Sequence, residues 1–457
     1  MDLVIRGGTV VTAGGAVDTA VGVADGQVVQ LGGAMDAPRV LDASGMYVLP
    51  GAVDAHVHLT APGSGEWAWR WADDFTSGTR AALAGGVTTV GNMSFPRPGE
   101  QLADGLDRDL ADAAAHSLTD YFQHPVLLSP DADNRRQIAE LAAAGHPSLK
   151  IFLSFRRFDR HVAEYLEAMR AAAAAGSVVL VHCEDVAVMD CCGARLAAEG
   201  HLDARWYPDA RPVEAERIAT ERAVGYCATT GAATYVVHLS SEAALSACRA
   251  ARARGLPVYV ETRPVYLHLT RERFADPDGA KYAGAPPLRD DADRQALWSG
   301  LADGGVSCVC TDHAPWKLAQ KLDPDLDVRT LLQGMSELET MLPLLWSQGV
   351  ATGRITPSRF VELTSTNPAR IFGMSAAKGT IAPGADADLV VWDPDEVRVV
   401  DGSNMHSAAG WSPYDGWEVR GWPRWTLSRG EVVAQGADVS AAPGRGRLVP
   451  RRPFVRP

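Results

Sequence analysis

The chain has 457 residues, 46% of them hydrophobic and 22% charged, which suits a globular enzyme with a sizeable core and argues against a disordered chain. Its formal charge of −13 argues against a nucleic-acid partner. No apolar run reaches the ~18 residues needed to cross a bilayer, and the start Met1-Asp2-Leu3-Val4-Ile5-Arg6 lacks a signal-peptide pattern, so neither membrane nor export is expected. Seven cysteines without a repeating framework fit reduced thiols in a cytoplasm.

The first fifty residues hold short β-branched runs broken by glycine: Leu3–Ile5, Thr9–Thr12, Val21–Val23, Gln27–Leu31 and Met46–Leu49. They predict small antiparallel strands. From Ala52 to about Gly373, apolar runs alternate with stretches long enough for helices, as at Arg160–Ala175, Ser240–Ala253 and Asp290–Leu301. Eight strands are predicted: Val53–His58, Thr88–Met93, Tyr121–Leu127, Ser148–Leu153, Val178–His182, Tyr235–Leu239, Val258–Thr262 and Val306–Thr311. Eight βα units over roughly 320 residues imply an α/β fold, a (β/α)8 TIM-type barrel. After Gly379 strand texture returns in Asp388–Trp392, Val397–Val400 and Trp425–Gln435. Residues 1–51 and 379–440 are therefore expected to form one small β-sandwich-like domain beside a barrel of residues 52–378. The Pro- and Arg-rich tail, 441–457, is either loose or docked.

The chemistry collects at strand ends. In Asp54-Ala55-His56-Val57-His58, alternate strand residues share a face, so both imidazoles point into the barrel and can chelate a divalent metal. An isolated pair of this kind is more often incidental. Here, however, His182, His238 and Asp312 end the fifth, sixth and eighth predicted strands, where barrel active sites lie. Lys150 sits within the apolar strand Ser148–Leu153, where an unpaired ammonium would be costly. A buried lysine of lowered pKa can act as an amine. Reaction with CO2 would give a carbamate able to bridge two metal ions. A salt-bridged structural lysine is the alternative, less favoured beside five metal-type ligands.

The set His56, His58, Lys150, His182, His238 and Asp312 resembles the ligand set of the cyclic amidohydrolases, a group including hydantoinase, dihydropyrimidinase, allantoinase and dihydroorotase. The likeness runs over nearly the whole chain. It includes Asp74–Arg80, Ala84–Thr89, Glu261-Thr262-Arg263-Pro264, Pro286-Pro287-Leu288-Arg289, Gly379–Leu389 and Ser412–Val419. It implies a binuclear metal-dependent hydrolase of the amidohydrolase superfamily that opens a hydantoin or dihydropyrimidine ring. His56, His58 and Asp312 would hold one ion, His182 and His238 the other, with carbamylated Lys150 bridging both and zinc the expected metal. A hydroxide between the ions would attack the ring carbonyl while Asp312 passes its proton to the leaving nitrogen. A homo-oligomer, dimer or tetramer, is implied as well.

Departures from the relatives narrow the substrate. Dihydroorotases place a carboxylate-reading arginine where this chain has Thr60, and an asparagine where Met93-Ser94-Phe95-Pro96 stands. Hydantoinases commonly carry a tyrosine five residues after the bridging lysine, at the position of Phe155 here. Phenylalanine offers no donor, so oxyanion stabilisation must come from a metal or another group. Allantoinase therefore stays as the rival, and a metal-free scaffold relative is disfavoured by the complete ligand set. Main-chain groups at Ala285 and Gln333 could grip an imide. Trp67, Trp69 and Trp71, with Arg70 among them, could wall an apolar substituent, or simply pack their loop. Arg156, Arg157 and Arg160 could meet a carboxylate, although a solvated helix start is the commoner reason for such residues. Cys183, Cys308 and Cys310 are read as buried thiols, and His313 as a supporting residue.

Overall fold

The computed structural model describes residues 1–59 and 71–455. Seven strands open the chain: β1 (Leu3–Arg6), β2 (Thr9–Thr12), β3 (Gly15–Asp18), β4 (Val21–Ala24), β5 (Gln27–Leu31), β6 (Arg39–Asp42) and β7 (Tyr47–Pro50). Four more close it: β16 (Leu389–Val399), β17 (Glu418–Ser428), β18 (Glu431–Gln435) and β19 (Asp438–Val439). They form a four-stranded sheet of order β5-β4-β1-β6 and a seven-stranded sheet of order β19-β18-β17-β16-β7-β2-β3. Leu3, Ile5 and Val21 of the first sheet pack against Val10, Val48, Leu389, Val391 and Leu427 of the second. Both chain ends thus contribute to one two-layered apolar core.

Between them lie β8 (Ala52–Val57), β9 (Val87–Ser94), β10 (Asp120–Pro125), β11 (Ser148–Phe152), β12 (Val178–His182), β13 (Thr234–Val236), β14 (Val258–Thr262) and β15 (Cys308–Val309). All pair in parallel, as two arcs, β8 to β10 and β11 to β15. Parallel bridges Val126↔Lys150 and Val57↔His313 join the arcs at both seams, so the ring closes into a barrel. Apolar runs such as Val178-Val179-Leu180-Val181 are buried throughout, as parallel strands covered on both faces must be. The barrel interior is filled by Val53, Ala55, Phe122, Leu180 and Tyr235 and stoppered by Phe372 and Val449.

Several predicted boundaries differ from the structure. Tyr235–Leu239 and Val306–Thr311 contribute shorter ladders because His238 and Asp312 adopt φ of 39° and 48°, outside the extended region. Asp388–Trp392 and Val397–Val400 are parts of the single strand β16, with irregular register between Asp393 and Val397. Trp425–Gln435 is a hairpin, turning at Arg429 and Gly430, both with positive φ, a geometry that suits the twist of the flanking strands. Gly15–Asp18 was unpredicted because every residue in it is exposed and no burial pattern marks it. The tail docks: Val449 N–H donates to Tyr121 O at 2.9 Å and Phe454 N–H to Gly176 O at 2.7 Å.

Candidate active site

His56 and His58 lie at the carboxyl end of β8, His182 ends β12, and His238 and Asp312 follow β13 and β15, while Lys150 lies in the middle of β11; all six line the barrel mouth. His56 and His58 share one face of the β8 end. Their ring centroids lie 5.4 Å apart. His238 and Asp312 reach the same mouth through their left-handed backbones, a conformation that costs on the order of 1–3 kcal/mol for such residues. Neighbours hold both in place. Glu261 Oε1 accepts the His238 N–H at 2.9 Å, and buried Asp54 accepts the Thr311 hydroxyl at 2.6 Å and its N–H at 3.2 Å.

The tautomers follow from the partners. Glu261 Oε1 already accepts from His238 N–H, so it faces His56 Nδ1, 2.7 Å away, as an acceptor. That leaves the His56 Nε2 lone pair pointing at Asp312 Oδ1, 3.1 Å away. His58 Nε2 is 2.9 Å from the same oxygen, and its Nδ1 is buried with no partner among the described residues. His182 Nε2 faces Glu184 Oε2 at 2.9 Å, which turns its Nδ1 toward His238 Nε2, also 2.9 Å away. His238 Nδ1 is again without a partner among the described residues. Lys150 Nζ stands 3.5 Å from His56 Nε2. The partners therefore leave the His56 Nε2 lone pair against a carboxylate oxygen and the His182 Nδ1 lone pair against His238 Nε2, in a cluster of nitrogens and one carboxylate able to ligate a cation. The donor set fits divalent metal ions.

Charge states agree with that reading. Burial holds all four imidazoles below the ordinary histidine value, in the neutral form that ligates. Burial also pushes Lys150 down to about 8 and Glu261 up to about 7. Burial works against ionising Asp312, yet His56 and Arg263 hold it well below the usual carboxylate range. Glu184 resists the same burial through Arg211 and falls to about 2.

Above the cluster lies a cavity of about 410 Å³, into which all six metal-type residues open. Its walls are Trp71, Phe95, Phe152, Phe155 and Trp316, with Ala285, Gln333 and Gly334 along one side. Phe155 stacks on Phe152 with centroids 4.7 Å apart. Four substrate-side expectations, Trp71, Phe155, Ala285 and Gln333, therefore reach the cavity, while Thr60, Trp67, Trp69 and Arg70 lie outside the described residues. Arg156 instead pairs with Asp190 at 2.8 Å on the surface, and Arg157 donates to Leu128 O. The cation that does line the cavity, Arg211, was not foreseen, and it is committed to Glu184 through Nε at 2.9 Å. His313 is no ligand. Its Nδ1 accepts the Glu337 N–H at 3.1 Å, and its Nε2 faces Asp73 at 2.7 Å.

Sequence reasoning missed Glu184 and the aromatic walls Phe95, Phe152 and Trp316, and it quoted Glu261 only as part of a motif. Glu184 could have been suspected from its place two residues after His182; the aromatic residues are scattered along the chain and carry no local signal. Among the described residues a second carboxylate group has metal-compatible spacing, Asp120, Asp386 and Asp388. The Lys378 ammonium already fills it, at 2.6, 2.9 and 2.6 Å.

Comparison with known proteins agrees with this geometry. The model of the Amidohydrolase family matches residues 47–433. A D-hydantoinase of Ralstonia pickettii is 35% identical over 99% of this chain and 100% of its own length. A D-phenylhydantoinase of Escherichia coli is 37% identical over the full length of both chains. The solved structure of a dihydropyrimidinase from Brevibacillus agri superposes with a TM-score of 0.93 at 34% identity, again over the whole of both chains.

Proposed function

Because the chain belongs to the amidohydrolase family, we propose that it hydrolyses a cyclic amide, opening a hydantoin or dihydropyrimidine ring to an N-carbamoyl amino acid. The observation that carries the proposal is the convergence of His56 Nε2, His58 Nε2, Asp312 Oδ1, Lys150 and the His182–His238 pair at the base of one aromatic cavity.

His56, His58 and Asp312 would hold one divalent ion and His182 and His238 the other, with zinc the expected metal. When bound, the ions acidify water and act as Lewis acids toward the ring carbonyl. Lys150 contributes as a carbamate: its amine lone pair bonds to the carbon of CO2, one N–H proton leaves, and an anion with two oxygens results. A pKa near 8 gives Lys150 a neutral-amine fraction at physiological pH that an exposed lysine lacks. Asp312 takes the proton from the attacking water and returns it to the departing ring nitrogen. Glu261 and Glu184 hold His56 and His182 in the orientation that presents a bare nitrogen.

The walls suggest the ring substituent. Five aromatic side chains border the cavity, and its cation is neutralised by Glu184, so an apolar or aryl group fits better than a carboxylate or ureido group. Allantoin and dihydroorotate therefore rank below an aryl hydantoin. Phe155 offers no hydroxyl, which leaves carbonyl polarisation to the ions and ring orientation to main-chain groups near Ala285 and Gln333. The cysteines form no disulfide, which supports a cytoplasmic setting, and no helix among the described residues is long and apolar enough to cross a membrane. Assembly as a homo-oligomer completes the reading.

The test is a panel on metal-loaded protein: hydantoin, 5-phenylhydantoin, dihydrouracil, allantoin and dihydroorotate. We expect kcat/KM to be highest for 5-phenylhydantoin. Faster turnover of allantoin or dihydroorotate than of every hydantoin and dihydropyrimidine would sink the proposal.

A further inference from the structure

Arg263, in the motif Glu261-Thr262-Arg263-Pro264, and the motif Ser412-Pro413-Tyr414-Asp415 remain without a role in this scheme, and the fold brings them together on a single buried carboxylate. Arg263, at the end of β14, is fully buried and carries its charge between two acids. Its Nη1 donates to Asp312 Oδ2 at 2.9 Å, while Nε and Nη2 donate to Glu337 Oε2 at 3.0 and 2.5 Å. The other oxygen of Glu337 accepts the Tyr414 hydroxyl at 2.9 Å and the Val265 N–H at 3.0 Å. Glu337 is thus saturated on both oxygens and cannot swing, and the planar guanidinium it grips has one remaining edge, directed at Asp312. A fork of fixed geometry transmits orientation in a way that a flexible ammonium does not.

Asp312 needs such a restraint. Its backbone is left-handed, so local conformation does not favour the placement it has, and its two oxygens have different tasks. Oδ1 faces His56 and His58 at 3.1 and 2.9 Å, whereas Oδ2, among the described residues, accepts from Arg263 alone. Rotation of the carboxylate by half a turn about its last bond would exchange the two. We infer that Arg263 is a positioning residue, clamped by Glu337 and Tyr414, that fixes which oxygen of Asp312 faces the histidines. The inference rests on the proposed role of Asp312 as ligand and proton carrier.

The test uses full-length protein loaded with cobalt(II), whose visible absorption reports ligand geometry independently of turnover. Arg263→Gln should bind cobalt with an altered spectrum, and its kcat on the best cyclic amide should fall about 10- to 100-fold, the range for lost outer partners of metal ligands, with KM within about threefold. Arg263→Lys should recover part of the rate, since the charge returns without the fork. Tyr414→Phe removes only the far end of the clamp and should cost a few-fold in kcat with a smaller spectral change. A folded Arg263→Gln with wild-type spectrum and kcat would overturn the inference. Should the Arg263 variants not fold, Tyr414→Phe decides alone, and an unchanged spectrum with unchanged kcat overturns it. If the wild-type protein opens no cyclic amide, the proposed activity fails, while the cobalt spectra still report whether Arg263 sets the Asp312 geometry.

Discussion

Lys150 and Lys378 are both buried, at opposite ends of the same barrel, and their surroundings give them opposite chemistry. Lys378 stands where the foot of β10 meets the terminal sheets, ringed by Asp120, Asp386 and Asp388 within 3 Å. Burial alone would favour the neutral amine there, but the three carboxylates override it and raise its pKa. Lys150 stands at the mouth with Asp312 and Glu261 nearby and neither within hydrogen-bonding distance, and burial prevails, down to about 8. The same side chain is a permanent ammonium clamp in one place and, in the proposed role, a reactive amine in the other. What decides is the number of carboxylates in contact, since an unpaired buried charge is far costlier than a paired one.

Removing the amine gives the largest expected effect. Lys150→Ala should lower turnover by roughly three orders of magnitude or more, as deletion of a reacting group does, and retain fewer than two divalent ions per chain. The stability of its metal-free form should change little, since relief of the buried amine offsets part of the cavity its apolar stem leaves. A short carboxylic acid should partly restore both metal and rate by entering the vacated space. Metal analysis and steady-state kinetics on the same preparation check this. Two ions with normal turnover in Lys150→Ala would break the comparison, because Lys150 would then be structural as well.

Lys378→Met should show the reverse pattern. Three carboxylates would be left around an apolar side chain, with only Arg429 still pairing Asp120, and breaking a buried pair in this way costs about 3–5 kcal/mol. The expected result is a large drop in the denaturation midpoint, with kcat of the folded fraction unchanged because Asp120 begins its strand while the active site lies at the strand ends. A variant as stable as the wild type would show that the clamp contributes little.

The two lysines were not equally legible. Lys150 stands out in Ser148-Leu149-Lys150-Ile151-Phe152 because a charge interrupts an apolar strand, and its neighbours in space announce themselves by ending predicted strands. His56 and His58 needed only the two-residue period of a strand. Lys378, in Ala376-Ala377-Lys378-Gly379, looks like any solvated loop lysine, and its partner Asp120 lies 258 residues away. Glu261 and His56 are 205 residues apart, so nothing local announces their contact. The eight barrel strands were readable from apolar runs, but the shortening of β13 and β15 was not, because it follows from φ at His238 and Asp312 and not from residue type.

His268 offers a third case, a buried base with no carboxylate partner among the described residues and no place in the candidate metal cluster, and so a check on whether burial alone acts as the comparison supposes. It is enclosed by Trp298, Tyr414 and Trp417, and its Nε2 has no hydrogen-bond partner among the described residues. Burial, helped by Arg294 and Arg354, pushes it down to about 3. In the unfolded chain it would titrate near 6.5. Above pH 6.5 both states are neutral there and the residue leaves stability independent of pH. Between 6.5 and about 3 the unfolded state binds a proton that the folded state refuses, so stability falls as pH falls. His268→Leu removes the titration and keeps an apolar filling of similar size. Relative to its own offset at pH 8, the variant should gain roughly 1–2 kcal/mol on the wild type by pH 5, the smallest effect of the three. Urea midpoints at pH 8, 6.5 and 5 read this directly. A constant offset across that range would mean that His268 is protonated in the fold despite its burial, and would weaken the claim that Lys150 owes its reactivity to burial without a carboxylate contact.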